Sequence, residues 1–291
     1  MKRTLAGIAL LTFCTSAVFL KAQISDAPAT FQRCKDSARV CLDYTLNMYL
    51  KALLVRKPQA LPVTDNVMFS ENGLNRILGE GLWKTITGYN VSAKGGMKQE
   101  YLDVPRGVAG VVMVAMEGQA PALFAVRIQV EDQKISAVES IVVRNPQEGG
   151  IFDVASLGGP SHAMSAIPDR ELLPAREDAI RISERYLEGV RAGTFAGSEM
   201  VIASDAYRVE NGRRTAGPGC TATPGCENLR ARTATPFPML RHRIDVVDET
   251  LGLVWIHEDF GSRVAWEGLK IYGGQIHAIE GIGRVVPNSG N

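Results

Sequence analysis

No charge of one sign dominates this chain: 32 Lys and Arg stand against 31 Asp and Glu over 291 residues, a formal net charge of +1. A protein that grips a polyanion shows a basic stripe, so nucleic acid is not expected as a partner. Signatures of nucleotide or covalent chemistry are missing too. There is no Gly-rich phosphate loop, no serine elbow and no dinucleotide fingerprint; Gly281-Ile282-Gly283 follows a strand-like run but opens no helix. His242, His257, His277, Asp259 and Glu280 are of metal-ligand type, yet no His-x-His or His-Glu-x-x-His spacing gathers them, and no metal or other cofactor is expected. Cysteine is scarce, and neither later pair is a Cys-x-x-Cys, which argues against a redox or zinc site.

No stretch after the start is long and apolar enough to span a bilayer. Met1-Lys2-Arg3 precedes an uncharged stretch from Thr4 to Leu20 and then Lys21-Ala22-Gln23, the layout of a secretory signal peptide over residues 1–22. The stretch carries Thr4, Thr12, Thr15 and Ser16 and falls short of the ~20 mostly apolar residues of a spanning helix, so cleavage and a periplasmic or secreted protein without a stable membrane anchor are expected. Loss of Lys2, Arg3 and Lys21 leaves 29 basic against 31 acidic residues over 269, a formal charge of −2. Export lets the remaining Cys34, Cys41, Cys220 and Cys226 form disulfides. Cys220 and Cys226 bracket a turn-forming Thr-Ala-Thr-Pro-Gly and are the first choice for a bridge; Cys34 and Cys41 can pair only if the helix begins after Cys34.

What the chain does have is an internal echo. An amphipathic helix is expected over Val40 to Leu54, with Leu42, Leu46, Tyr49, Leu50 and Leu53 at helical spacing, and another over Glu177 to Val190, with Ile180, Tyr186, Leu187 and Val190. Each precedes a Glu-Asn-Gly, at Glu71-Asn72-Gly73 and Glu210-Asn211-Gly212, 139 residues apart. Ile128 to Glu139 parallels Leu269 to Glu280 at an offset of 141, each block reading as a strand, a tight turn and a returning strand. Further strands are expected at Gly110 to Glu117, Pro121 to Val130, Leu240 to Asp248, Leu253 to Phe260 and Arg263 to Tyr272. The order is α+β, and duplication gives domains at 34–144 and 175–287 joined by a Gly-, Pro- and Ser-rich linker at 145–174.

The phrases Phe69-Ser70-Glu71-Asn72-Gly73, Gly79-Glu80-Gly81-Leu82-Trp83 and Ala125 to Asp132 resemble secreted tandem proteins of the NTF2-like superfamily, the SnoaL-like and ketosteroid-isomerase-like cone. The resemblance covers nearly all of Cys34 to Pro287. It implies two tandem cone domains, each a leading helix packed on a curved antiparallel sheet around a pocket. Enzymes of that superfamily, cofactor-independent lyases among them, place a few polar groups of shifted proton affinity in an apolar pocket. The implied function is binding of a small apolar or aromatic molecule and acid-base chemistry on it as a lyase or isomerase. The competing reading is a non-catalytic periplasmic or extracellular binding or scaffold protein; homo-oligomerisation stays open.

Arg127 is the one charge in the apolar strand Ala122 to Ile128, where a guanidinium requires a carboxylate such as Glu71 or Glu139, or an anionic ligand. Alternation in Leu253 to Phe260 puts Leu253, Trp255, His257 and Asp259 on one face and Val254, Ile256 and Glu258 on the other, without deciding which side meets a pocket. His257 oriented by Asp259, with Arg127 for oxygen or anion stabilisation, forms the expected catalytic set. Trp83, Tyr89, Tyr101, Trp255 and Glu71 are the expected substrate-binding residues. Glu71 and Glu210 also read as turn-adjacent residues bonding backbone donors.

Overall fold

The computed structural model describes residues 34–286 apart from 93, 159–161, 196–200 and 232. The expected signal peptide lies outside these residues. Helix α1 covers Ala38–Leu54, the single turns α2, α3 and α4 cover Leu82–Thr85, Pro146–Gly149 and His162–Ser165, and α5 covers Arg176–Ala192. α1 buries Leu42, Leu46, Tyr49, Leu50 and Leu53, the stripe its spacing predicts. α5 starts with Glu177 and Asp178 in its first turn, where acidic groups meet the positive helix end, and stops at Gly193, whose φ of 70° makes the left-handed cap.

The first half forms a seven-stranded sheet from β1 (Val63–Glu71), β2 (Leu74–Asn75), β3 (Gly88–Asn90), β4 (Lys98–Asp103), β5 (Val108–Glu117), β6 (Ala120–Glu131) and β7 (Lys134–Val143). The second forms a six-stranded sheet from β8 (Ile202–Glu210), β9 (Arg213–Ala216), β10 (Arg241–Asp248), β11 (Leu253–Asp259), β12 (Arg263–Tyr272) and β13 (Gln275–Val285). Two-residue turns set the hairpins: Asn72 and Gly73, Asp132 and Gln133, Asn211 and Gly212, and Gly273 and Gly274 all have positive φ, the pair of left-handed residues a tight hairpin requires. The sheets share one order, β2-β1-β7-β6-β5 in the first and β9-β8-β13-β12-β11-β10 in the second.

This architecture corrects the expectation of two α+β cones. Among the described residues strand outweighs helix, 43% to 22%, and α1 and α5 alone exceed one turn. Both sheets are mixed rather than antiparallel, since β1 pairs with β7 and β8 with β13 in parallel. Each sheet is also covered on both faces. One face of the first lies under α1 and one face of the second under α5, while the remaining faces meet in a shared core of Tyr101, Val112, Leu123, Trp255, Trp266 and Ile282. The physical reason is legible in β5, buried from Val108 to Ala115 without alternation, a pattern that needs cover on both sides. A single 17-residue helix covers only one.

Trp255 lies at the centre of the contact, stacked on Tyr101 at 5.0 Å and on Trp266 at 4.9 Å. Gly110 makes this approach possible: a Cβ there would stand 2.1 Å from the Trp255 ring. Both disulfides form, Cys34 with Cys41 and Cys220 with Cys226. The first satisfies the condition set by its spacing, because α1 begins at Ala38, leaving the Cα atoms 5.5 Å apart. The connecting segment is held to the second sheet through Lys270 Nζ, which donates to the Ala166 carbonyl at 2.5 Å, and through the Asp153 amide, which donates to the Asn211 carbonyl at 2.9 Å. No helix among the described residues is long and apolar enough to cross a membrane.

Candidate functional site

Alternation along β11 sends Trp255 toward the first sheet and Glu258 the opposite way, toward α5. There a cavity of about 520 Å³ opens between β8, β11, β12 and β13 and the end of α5. Its apolar wall includes Val190, Phe195, Phe237, Phe260, Ala265 and Ile282, with Phe237 edge-on to Phe260 at 4.8 Å. Its charged residues are Arg208, Glu210, Glu258, Arg263 and Glu267. Volume, apolar wall and a few convergent polar groups are those of a small-molecule site.

Four of the five charges cancel in pairs. Glu267 accepts from Tyr186 Oη at 2.6 Å and from Arg208; Arg263 Nη2 lies 2.5 Å from Glu210. Glu258 stands apart: fully buried, it has no hydrogen-bond partner for either oxygen among the described residues. Burial and the neighbouring Glu267 charge raise its pKa well above the usual 4.5, against the pull of Arg208 and Arg263. An ionised carboxylate without donors is costly in such a place, so the neutral acid is favoured. Tyr186 is likewise pushed upward by burial and by Glu267, and stays a phenol that donates.

Glycines make room for these groups. A Cβ at Gly281 would stand 3.0 Å from Glu267 Cγ, and one at Gly283 would stand 2.3 Å from the Arg263 guanidinium. The Gly281-Ile282-Gly283 run is a gap in the sheet surface over which a carboxylate and a guanidinium fold.

Ladder registers show how this site departs from the other half. β6–β7 and β12–β13 superpose at an offset of 141, since Val126 faces Ser140 and Glu267 faces Gly281. Through the neighbouring ladders Phe69 corresponds to Arg208, Met113 to Glu258 and Val126 to Glu267. All three first-half residues belong to the apolar core under α1. Position for position, core in one half is charge in the other.

The residues anticipated from sequence lie elsewhere. Arg127 is a buried ion-pair member: its Nε donates to Asp245 at 3.0 Å, its Nη1 to Glu139 at 3.4 Å and its Nη2 to Gln129 at 2.8 Å. Asp245, fully buried, also accepts from Arg243 at 2.6 Å and from Trp266 Nε1 at 2.8 Å. His257 and Asp259 line a separate cavity of about 380 Å³ with Glu139 and Trp266, so the structure does bring His257 close to the carboxylate that Arg127 binds. Burial and Arg243 lower the His257 pKa. Asp259 is bound by Arg241 at 2.5 Å and by the Gly261 amide at 2.8 Å, and no hydrogen bond joins it to His257. Trp83 is core, edge-on to Tyr49; Tyr89 donates to the Leu50 carbonyl at 2.8 Å; Tyr101 and Trp255 stack between the sheets. Glu71 accepts from the Leu82 amide at 2.9 Å, as a turn-adjacent carboxylate would. None of these eight residues lines the 520 Å³ cavity.

Comparison with known proteins recognises the segment that builds most of the cavity. A family profile described as a domain of unknown function, DUF8021, matches residues 174–283. A search of curated proteins finds no match. Among solved structures the chain is similar to a de novo designed protein with a curved β-sheet, at 13% identity and a TM-score of 0.29, over 36% of this chain and 86% of that one.

Proposed function

We propose that this chain is an exported protein that binds a small, largely apolar or aromatic molecule in the second-half cavity and moves a proton on it, without a cofactor, as a lyase or isomerase. One observation carries the reading: Glu258 is a buried carboxyl group at a cavity wall with no hydrogen-bond partner among the described residues, its pKa pushed up by burial and by Glu267. A carboxyl group whose pKa is raised in this way holds its proton where an ordinary surface glutamate has lost it, and so can give and retake it as a general acid. Arg208 and Tyr186 hold Glu267 in place beside it, so the charge that tunes Glu258 is fixed. Two disulfides support export to an oxidising compartment.

The test is hydrogen exchange. Aromatic ligands found by thermal-shift screening are incubated with the protein in deuterated water and followed by NMR. The expected result is ligand C–H exchange in the wild type and its loss in Glu258→Gln. Exchange at the wild-type rate in that variant, or a cavity ligand that never exchanges, refutes the proposal. His257 is a second place for proton transfer, favoured by the 380 Å³ cavity it lines; His257→Ala then abolishes exchange while Glu258→Gln does not.

A further inference from the structure

The cavity's charges specify its ligand more closely than its volume does. Arg208 is bound to Glu267 and lies 3.7 Å from Glu210, which Arg263 binds, so two guanidinium groups share two carboxylates. Glu258 is the remainder, and an ionised cavity therefore carries one uncompensated negative charge. Neither of its oxygens has a donor among the described residues. Phe195, Phe237 and Phe260 line the same cavity, Phe195 stacked on Tyr186, and aromatic rings attract cations as well as apolar bodies. An anionic ligand would meet three carboxyl groups against two guanidinium groups, each already paired through Nη2 although its Nε has no partner among the described residues.

We propose that this cavity takes an amine cation carrying an apolar or aromatic body, with the Glu258 carboxylate as its counter-ion. The inference rests on the reading of this cavity as the functional site, but not on catalysis. In the free protein Glu258 holds a proton; an ammonium group arriving beside it displaces that proton to solvent, the O–H bond breaking as N–H donors take its place. Binding of one amine is then coupled to release of one proton. Over the range in which free Glu258 is protonated and the amine is charged, affinity rises about tenfold per pH unit, and it levels off once Glu258 is ionised before binding. Glu267 and Glu210 face the same space but are held by Arg208 and Arg263, and His257 lies on the opposite face of β11.

The experiment is calorimetric titration of the full chain with three matched probes, 3-phenylpropylamine, 3-phenylpropan-1-ol and 3-phenylpropionate. Each is run in two buffers of different ionisation enthalpy, which counts protons. Expected are amine binding at least about tenfold tighter than the alcohol, no measurable binding of the carboxylate, and a proton released per amine. Glu258→Gln lowers amine affinity at least about tenfold and leaves the alcohol within about twofold. The inference is overturned if the alcohol or carboxylate binds as well as the amine, if no proton is released below the levelling pH, or if none of the three binds. Proton counting in the wild type needs no variant, so a poorly folding Glu258→Gln does not spoil the test. Amine binding that passes while ligand C–H exchange is absent leaves this inference standing and removes the catalytic reading; Glu258-dependent exchange without amine preference does the reverse.

Discussion

Replacing Glu258 by Gln removes an ionisable group and little volume, so the variant isolates what the buried proton does to stability. The folded-state pKa is raised from 4.5 by burial and by Glu267. A raised folded value means the native state holds the proton more tightly than the unfolded chain. The stabilisation is full below the unfolded value and is lost as pH rises toward the folded one. Between the two values the wild type loses about 1.4 kcal/mol per pH unit from this group, whereas the amide of the Glu258→Gln variant contributes no slope. The side chain is fully buried, so solvent screening takes little from this figure. For a chain of this length 1 kcal/mol is roughly 2–4 °C in Tm, giving about 3–6 °C per unit. The assay is equilibrium urea unfolding of both proteins from about pH 5 to 9. Titrating groups that do not interact with Glu258 cancel in the difference, and any fixed penalty of the amide shifts the curve without tilting it. The difference should grow in favour of the variant by about 1.4 kcal/mol per unit and flatten where Glu258 itself titrates. Parallel curves across the whole range would falsify the claim that this carboxyl group is held neutral.

Four further outcomes follow from the packing and the charge pairs. Gly110→Val drives a side chain into the Trp255 ring and should cost on the order of 3 kcal/mol, measured by urea unfolding; a neutral result contradicts the direct contact of the two sheets. Arg127→Met leaves buried Asp245 with Arg243 as its cationic partner and should destabilise by about 3 kcal/mol, with the loss shrinking when Asp245→Asn is added. Reduction of either disulfide opens a short loop and should cost about 2.5 kcal/mol by loop entropy, roughly 5 °C or more in a thermal melt with and without dithiothreitol; unchanged melting means the bridges do not constrain the unfolded chain. Giving the second half the first half's residues, with Arg208→Phe, Glu258→Met and Glu267→Val together, should raise stability by about 1–4 kcal/mol while abolishing ligand binding; a less stable triple variant would show that the charges are structural.

The elements were legible because they rest on local signals. Both helices, the hairpins and strand β12 from Arg263 to Tyr272 fall where periodicity and turn residues put them. The sheets' parallel closures were not, because β1 and β7 pair across 69 residues, Phe69 with Val138, and nothing local distinguishes a parallel partner. Two-sided cover was visible in the unbroken apolar run of β5, but naming the covering element required the other half. Arg127 shows the same limit: Glu139, its cross-strand neighbour in the adjacent hairpin strand, was a foreseeable partner, while Asp245 lies 118 residues away. At β11 alternation separated Trp255 from Glu258 correctly and left the two faces undecided. The deciding signal was present but unread, since the 141-residue offset aligns Glu267 with Val126.

That alignment also bears on why the charges are there. Phe69, Met113 and Val126 show that this fold fills the same positions with apolar side chains and needs no ion pair there. Buried guanidinium and carboxylate groups lose their hydration, and a well-packed apolar set of similar volume is commonly as stable or more so. Nor do the second-half charges complete one another, because Glu258 is left without a partner among the described residues and glycines at 281 and 283 withdraw side chains that would close the gap. A structural network would saturate its donors and acceptors. An arrangement that instead keeps a cavity, an unmatched carboxyl group and three phenylalanines at its wall is costly to the fold in each respect. The physical return for that cost is a place where a ligand supplies the missing partner.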